Sequence, residues 1–191
     1  MTVPLNLSVA PAAQPMIDQA AAALPQIQTE RLTLRAPRLS DWPVLAPIWT
    51  TDRARFIGGP MSAKDAWLDF CQLTVNWLLR GFGALTICRR SDDAVLGLVL
   101  LEHELGDPEP ELGWLLIAEA DGHGFATEAA SALRTEGLRL FGSGGFVSYI
   151  DAANDRSIRL AERLHAVRDA EPHPGNAATR VYRHRSTKTR S

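Results

Sequence analysis

Glu111-Leu112-Gly113-Trp114-Leu115-Leu116-Ile117, followed by Asp121-Gly122-His123-Gly124-Phe125-Ala126-Thr127 and a helical stretch to Phe141, decides how this chain folds. The first run is short, apolar and β-like. After the turn, Ala126, Ala129, Ala130, Leu133, Leu140 and Phe141 recur at the three and four spacing of one helix face. Gly122 to Ala126 therefore stand at a helix start, where the first N–H groups have no internal partner and the positive end of the dipole adds to them. That end seats phosphate well, and two glycines keep side chains clear of a bulky anion. A purely structural turn would use the same residues. A dinucleotide fingerprint is rejected. It would need a third glycine where Thr127 stands, and it belongs to the first unit of a parallel sheet.

Working outward, Gly83 to Arg90, Val95 to Glu102 and Glu109 to Ile117 read as three strands. Ser91-Asp92-Asp93 and Gly106-Asp107-Pro108 form the turns between them, so they make an antiparallel meander. The long helix ends at Gly142 to Gly145 and leads to a strand from Phe146 to Ile150. A helical crossover joins that strand to the Glu111 strand, so the two are parallel. A final helix spans Asp155 to His165, and weaker strands cover Ala166 to Asp169 and Thr179 to Arg185. Upstream, a strand runs from Ile27 to about Ala36, and a helix with Pro43 in its first turn runs to about Trp49. The link Thr51 to Pro60 is read as mobile. A second helix from Ser62 to Gly81 carries the stripe Ala66, Phe70, Leu73, Trp77 and Leu78. Trp67 and Trp77 serve either that core or a substrate pocket.

Composition bounds the function. With 191 residues, 46% hydrophobic and 22% charged, the chain suits one globular domain. A net charge of −2 argues against a nucleic-acid partner. Cys71 and Cys88 lack a zinc or disulfide pattern, no apolar run is long enough for a membrane, and no secretion signal opens the chain. The expectation is a cytoplasmic protein with reduced thiols and no metal. Residues 1–25, rich in Ala, Pro and Gln, read as a flexible arm with a short helix near Met16 to Ala23; residues 187–191 read as a tail.

The string Asp121-Gly-His-Gly-Phe-Ala-Thr-Glu-Ala129 resembles the acetyl-CoA pyrophosphate loop of the GCN5-related N-acetyltransferases, written Q/R-x-x-G-x-G/A. Asn154-Asp-Arg-Ser157-Ile-Arg-Leu-Ala-Glu-Arg-Leu164 is similar to the N-x-x-S-x-x-L-x-E-K/R-L pattern of the branch containing the ribosomal-protein alanine and serine acetyltransferases. Thr29-Glu-Arg-Leu-Thr-Leu-Arg35 resembles that branch's first strand. The resemblance implies an α+β fold with a mixed, mostly antiparallel central sheet, a parallel central strand pair that splays apart, and about four helices within residues 26–186. It also implies acetyl-CoA as co-substrate and an amine acceptor, either a protein N-terminus or a small molecule. A non-catalytic acyl-CoA sensor or scaffold of the same fold is the alternative.

On that resemblance, Glu111 is the base candidate and Ser157, or water it holds, the proton donor. A strand backbone N–H around Leu115 to Ile117 is expected to receive the reacting carbonyl, with Leu116 and Ile117 meeting the cofactor. Gly122, His123, Gly124, Phe125, Ala126 and Thr127 hold the diphosphate, while Asn154 and Ser157 meet the pantetheine arm. Glu111 is equally a strand-end carboxylate, and Asn154 with Ser157 an ordinary helix start. Glu102, Glu104 and Glu109 are expected on one hairpin, where they attract a cation or make a soluble edge. The family's usual tyrosine acid is missing, since Leu160 and Ala161 occupy the neighbouring positions. Asp121 sets a carboxylate beside the expected diphosphate, from which Asp121→Asn is expected to tighten coenzyme binding.

Overall fold

The computed structural model describes residues 8–185, so the expected tail at 187–191 and the first seven residues of the arm lie outside it. The arm forms helix α1 (Gln14–Ala22), with no buried residue. Strands β1 (Ile27–Gln28) and β2 (Leu32–Arg35) follow, and then two single-turn helices, α2 (Trp42–Leu45) and α3 (Pro47–Thr50). The expected helix to Trp49 is interrupted because Pro47 has no N–H to offer the preceding turn. The link expected to be mobile winds into a 3-10 helix, Asp52–Phe56, with the Thr51 side chain accepting from the Arg53 N–H.

Helix α4 (Ala63–Arg80) starts on a Ser62 cap and stops at Gly81, whose φ of +74° suits a left-handed C-cap. The meander β3 (Ala84–Arg89), β4 (Val95–Glu102) and β5 (Glu111–Leu116) precedes the central helix α5 (Phe125–Phe141). Strand β6 (Phe146–Asp151), helix α6 (Asp155–Arg163), and strands β7 (Val167–Arg168) and β8 (Thr179–His184) complete the chain. Helix α6 ends as a glycine C-cap would end it, except that His165 takes the left-handed position at φ +59°.

The eight strands form one sheet in the order β1-β2-β3-β4-β5-β6-β8-β7. Every neighbouring pair is antiparallel except β5 with β6. One face packs Leu34, Leu85, Val99, Leu101 and Leu112 against Ala129, Ala130 and Leu133 of α5. The other face packs Leu98 and Leu100 against Trp42, Trp49, Phe70 and Leu73. Trp77 is core, its Nε1 donating to the Ala84 carbonyl at 2.7 Å, and Trp67 meets the Trp42 ring edge-on. The buried stripe of α5 includes Gly137 rather than the expected Leu140, which is exposed. The Phe146 ring fills the groove there, 2.8 Å from where a Cβ on Gly137 would stand.

Candidate active site

The parallel pair β5/β6 touches at a single register position, Glu111 opposite Val147, with the Val147 N–H donating to the Pro110 carbonyl at 2.9 Å. In a continuing ladder the Tyr149 N–H would next bond the Leu112 carbonyl. Side chains intercept both groups. The Ser148 hydroxyl donates to the Leu112 carbonyl at 2.6 Å, and the Tyr149 N–H is directed at the Glu111 carboxylate, whose ionised form it favours. Ser148 Oγ also lies 3.0 Å from Nε2 of His184. Burial, then Arg134, lowers the His184 pKa to about 4, so the ring is neutral at pH 7. With the hydroxyl proton spent on Leu112, His184 donates from Nε2, which leaves its Nδ1 bare and unpartnered.

The strands part beyond this clasp. The Ile117 N–H bonds the Leu96 carbonyl of β4 at 3.0 Å. By the alternation of a strand, the Trp114 and Leu116 amides therefore face the opening gap.

At the far end of the gap lies the glycine turn. Gly122 and Gly124 both sit at φ +79°, and nothing lies within 4 Å of a Cβ placed on Gly122. The first amide of α5 to bond within the helix is that of Glu128, to the Gly124 carbonyl at 3.1 Å. The Phe125, Ala126 and Thr127 amides before it remain open to an anion. Glu128 itself is turned away, bonded to Thr29 Oγ1 at 2.6 Å and to Arg31 Nε at 2.7 Å.

Asp121 does not confront this cradle as a bare charge. Its carboxylate is held by Arg53 at 3.1 Å and by Arg156 at 3.0 Å, and Arg53 Nε also donates to the Leu116 carbonyl at 3.0 Å. Burial works against ionising Asp121, but the two guanidinium groups outweigh it and hold the carboxyl below its usual range. The trio carries one net positive charge, so the carboxylate expected from sequence to stand bare beside the loop is instead neutralised by its neighbours.

The opposite end is acidic. A cavity of about 1280 Å³ runs from the glycine turn to Asp69, Glu102, Glu104, Asp107 and Glu111. Glu102 faces Glu111 directly across the β4/β5 pair, where like charges destabilise a sheet. Glu102 is 5% exposed and its Oε1 has no partner. Burial, then Glu111 and Glu104, push its pKa up to about 9. Burial raises Glu111 to about 8, against the pull of the Tyr149 amide. Burial likewise raises Glu104 and Asp69; Asp69 accepts from Trp49 Nε1 at 2.5 Å.

Of the residues singled out from sequence, Glu111, Leu116, Gly122, Gly124, Phe125, Ala126, Thr127, Asn154 and Ser157 line this cavity, whereas Ile117 and His123 do not. Asn154 Oδ1 caps α6 by accepting from the Ser157 N–H at 3.2 Å, and Ser157 Oγ accepts from Trp114 Nε1 at 3.2 Å. The His123 ring stacks on Phe125 at 5.6 Å. Glu109 does not join the acidic group. It pairs with Arg183, which carries Asp169 as well. Sequence reasoning missed Asp69, Arg156 and Ser148. For Asp69 a signal existed, since a carboxylate sits three residues after Ala66 and four before Leu73 on a buried helix face.

Among the described residues, no helix is long and apolar enough to cross a membrane, and no cluster of His, Cys, Asp and Glu side chains is arranged to hold a metal ion.

The family model for an acetyltransferase (GNAT) domain matches residues 31–167. The chain is similar to the crystal structure of an acetyltransferase from Agrobacterium tumefaciens, with 34% identity, a TM-score of 0.80, and 86% of this chain covering 96% of that one. RimL, a ribosomal L7/L12 α-N-protein acetyltransferase in complex with coenzyme A, shares the fold at 19% identity and a TM-score of 0.64, with 84% and 98% of the two chains covered. A spermidine N-acetyltransferase from Vibrio cholerae, in complex with CoA and spermine, does so at 15% identity and 0.63, with 81% and 94% covered. No curated protein matches the chain.

Proposed function

Because the chain belongs to the GNAT acetyltransferase family, we propose that it moves an acetyl group from acetyl-CoA to a primary amine by direct attack within a ternary complex. The observation that carries this reading is the clasped splay: Glu111 at its mouth, free strand amides along one wall, and open helix amides at its end. Acetyl-CoA supplies the activated acyl group and the thiolate that leaves.

The chain's own groups do the rest. The Phe125, Ala126 and Thr127 amides, with Gly122 and Gly124 keeping side chains away, bind the diphosphate, and Arg53 and Arg156 add positive charge beside it. The Leu116 amide, directed into the gap, stabilises the carbonyl oxygen as charge gathers on it. Glu111 removes a proton from the attacking amine, directly or through water; its raised pKa suits a base working near neutral pH. Ser157 returns a proton to the leaving sulfur.

The alternative of a non-catalytic sensor rests on Asp121 as a misplaced charge and on the missing tyrosine; the pairing of Asp121 with two arginines speaks against the first, and the second stands. Thiol release measured with acetyl-CoA and a panel of amines tests the proposal. Turnover that vanishes in Glu111→Gln while acetyl-CoA still binds is the expected result. Binding without turnover of any amine refutes it.

A further inference from the structure

We infer that the acceptor is a small molecule carrying a second positive charge, a diamine or polyamine rather than a peptide N-terminus, and that Glu102 seats the second cation. This rests on the acetyltransferase reading above.

Elsewhere in the chain, buried or half-buried carboxylates are paired with arginine: Asp41 with Arg35, Glu109 and Asp169 with Arg183, and Asp121 with Arg53 and Arg156. Among the described residues, the buried Glu102, the half-buried Asp69, Asp107 and Glu111 and the exposed Glu104 have no arginine partner, and all five line one end of one cavity. Glu102 is the sharpest case, because its Oε1 lies buried without any hydrogen bond. A buried polar atom left unmatched is destabilising, and a charged donor arriving with the substrate would satisfy it.

The charged groups that act on Glu102 are Glu111 from β5, Glu104 from the β4–β5 link and Asp69 from α4, and Asp107, Tyr149 and His173 line the same cavity. The nearby arginines are engaged elsewhere, Arg80 with the His103 carbonyl and Arg183 with Glu109 and Asp169. Glu102 and Glu111 stand opposite each other on neighbouring strands, about 5 Å apart in backbone spacing. An amine approaching Glu111 thus brings a second nitrogen to Glu102 across a chain of roughly three or four carbons. A peptide N-terminus presents neutral amides at that distance, whose N–H can hydrogen-bond Glu102 but brings no positive charge to it.

The test uses the whole protein and acetyl-CoA with three acceptors: butylamine, diaminobutane and a short alanyl peptide amide. Thiol release should give diaminobutane a kcat/KM about tenfold or more above butylamine, carried mainly by KM. Glu102→Gln, which keeps the side-chain shape, should bring that ratio near one while acetyl-CoA affinity stays unchanged. Equal use of mono- and diamine, or preference for the peptide, overturns the inference.

A second measurement separates this from the reaction itself. Calorimetry of diaminobutane into the protein loaded with coenzyme A, in two buffers of different ionisation heat at pH 7, should show release of about one proton, because the carboxyls give up protons to receive cations. Binding without proton release, or no binding, overturns the seat. Binding with proton release but no thiol release from any amine leaves the seat standing and sinks the acetyltransferase reading.

Discussion

Glu102→Gln should make this protein more stable, by an amount that depends on pH in a defined way. The unfolded carboxyl titrates near 4.5, whereas in the fold burial and the facing Glu111 and Glu104 raise Glu102 to about 9. Between those values the folded state binds more protons than the unfolded one, so stability falls as pH rises through that window. At pH 7 the gap above the unfolded pKa is 2.5 units, which at 1.36 kcal/mol per unit costs about 3 kcal/mol. Glutamine never ionises, so the variant avoids the whole penalty. Urea melts of both proteins from pH 5 to pH 8 should show a stability difference of about 1 kcal/mol or less at the acid end. It should then widen by roughly 1.4 kcal/mol per pH unit. In thermal melts that corresponds to about 2–4 °C per kcal/mol for a chain of this length. A difference that stays constant across the range, or a destabilised variant at pH 7, refutes the account of Glu102 as a buried carboxyl kept protonated by its neighbours.

Glu111→Gln should lower turnover by about 10²–10⁴ with acetyl-CoA binding unchanged. The wild-type rate should rise as pH passes about 8, where Glu111 loses its proton, and the variant should lack that limb. Asp121→Asn should weaken acetyl-CoA binding, the reverse of the expectation from sequence, because the carboxylate gathers Arg53 and Arg156 at the cradle; tighter binding by calorimetry would show that the arginines reach the diphosphate without it. Ser148→Ala frees the Leu112 carbonyl for the Tyr149 amide and lets the splay close by one step. Coenzyme affinity should then drop, with a loss of about 1–3 kcal/mol in stability because the buried His184 Nε2 loses its partner, and unchanged affinity would defeat the argument. Asp41→Ala strands Arg35, which is 8% exposed, and should destabilise the protein by about 3–5 kcal/mol in denaturant melts.

The strands and the central helix were legible because their signals are local. Alternation, glycine turns and the three and four spacing of α5 depend on near neighbours in sequence, and Phe125–Phe141 follows directly from them. The splay itself was legible only through family resemblance, since nothing near Glu111 or Val147 in sequence says that the pair ends after one register position. Charge pairing was the least legible feature. Glu109 and Glu104 look alike along the chain, but one meets Arg183 from β8, 74 residues away, and the other faces a cavity. Asp121 looked like a fault in the phosphate loop because Arg53, 68 residues earlier, is invisible to any local reading. Pro47 shows the reverse, a local rule that was available and overlooked in drawing one helix through it.

Two hydrogen-bonding groups decide where β5 and β6 separate, and each is claimed by a side chain: the Leu112 carbonyl by Ser148, and the Tyr149 amide by Glu111. Glu111 is therefore part of the clasp as well as the proposed base, and the two roles pull its proton in opposite directions. The Tyr149 amide favours the ionised carboxylate, while burial and the acidic neighbours favour the neutral acid. A doubly charged acceptor at the acidic end shifts that balance toward ionisation, because its positive charge opposes the like charges of Asp107 and Glu104 that hold the Glu111 proton on. The same event strengthens the bond from Tyr149 and holds the strands apart at the point where the proposed reaction needs the gap. In this arrangement an acceptor that fills the acidic end prepares its own base, whereas an amine with no second charge meets a Glu111 that still carries its proton at pH 7.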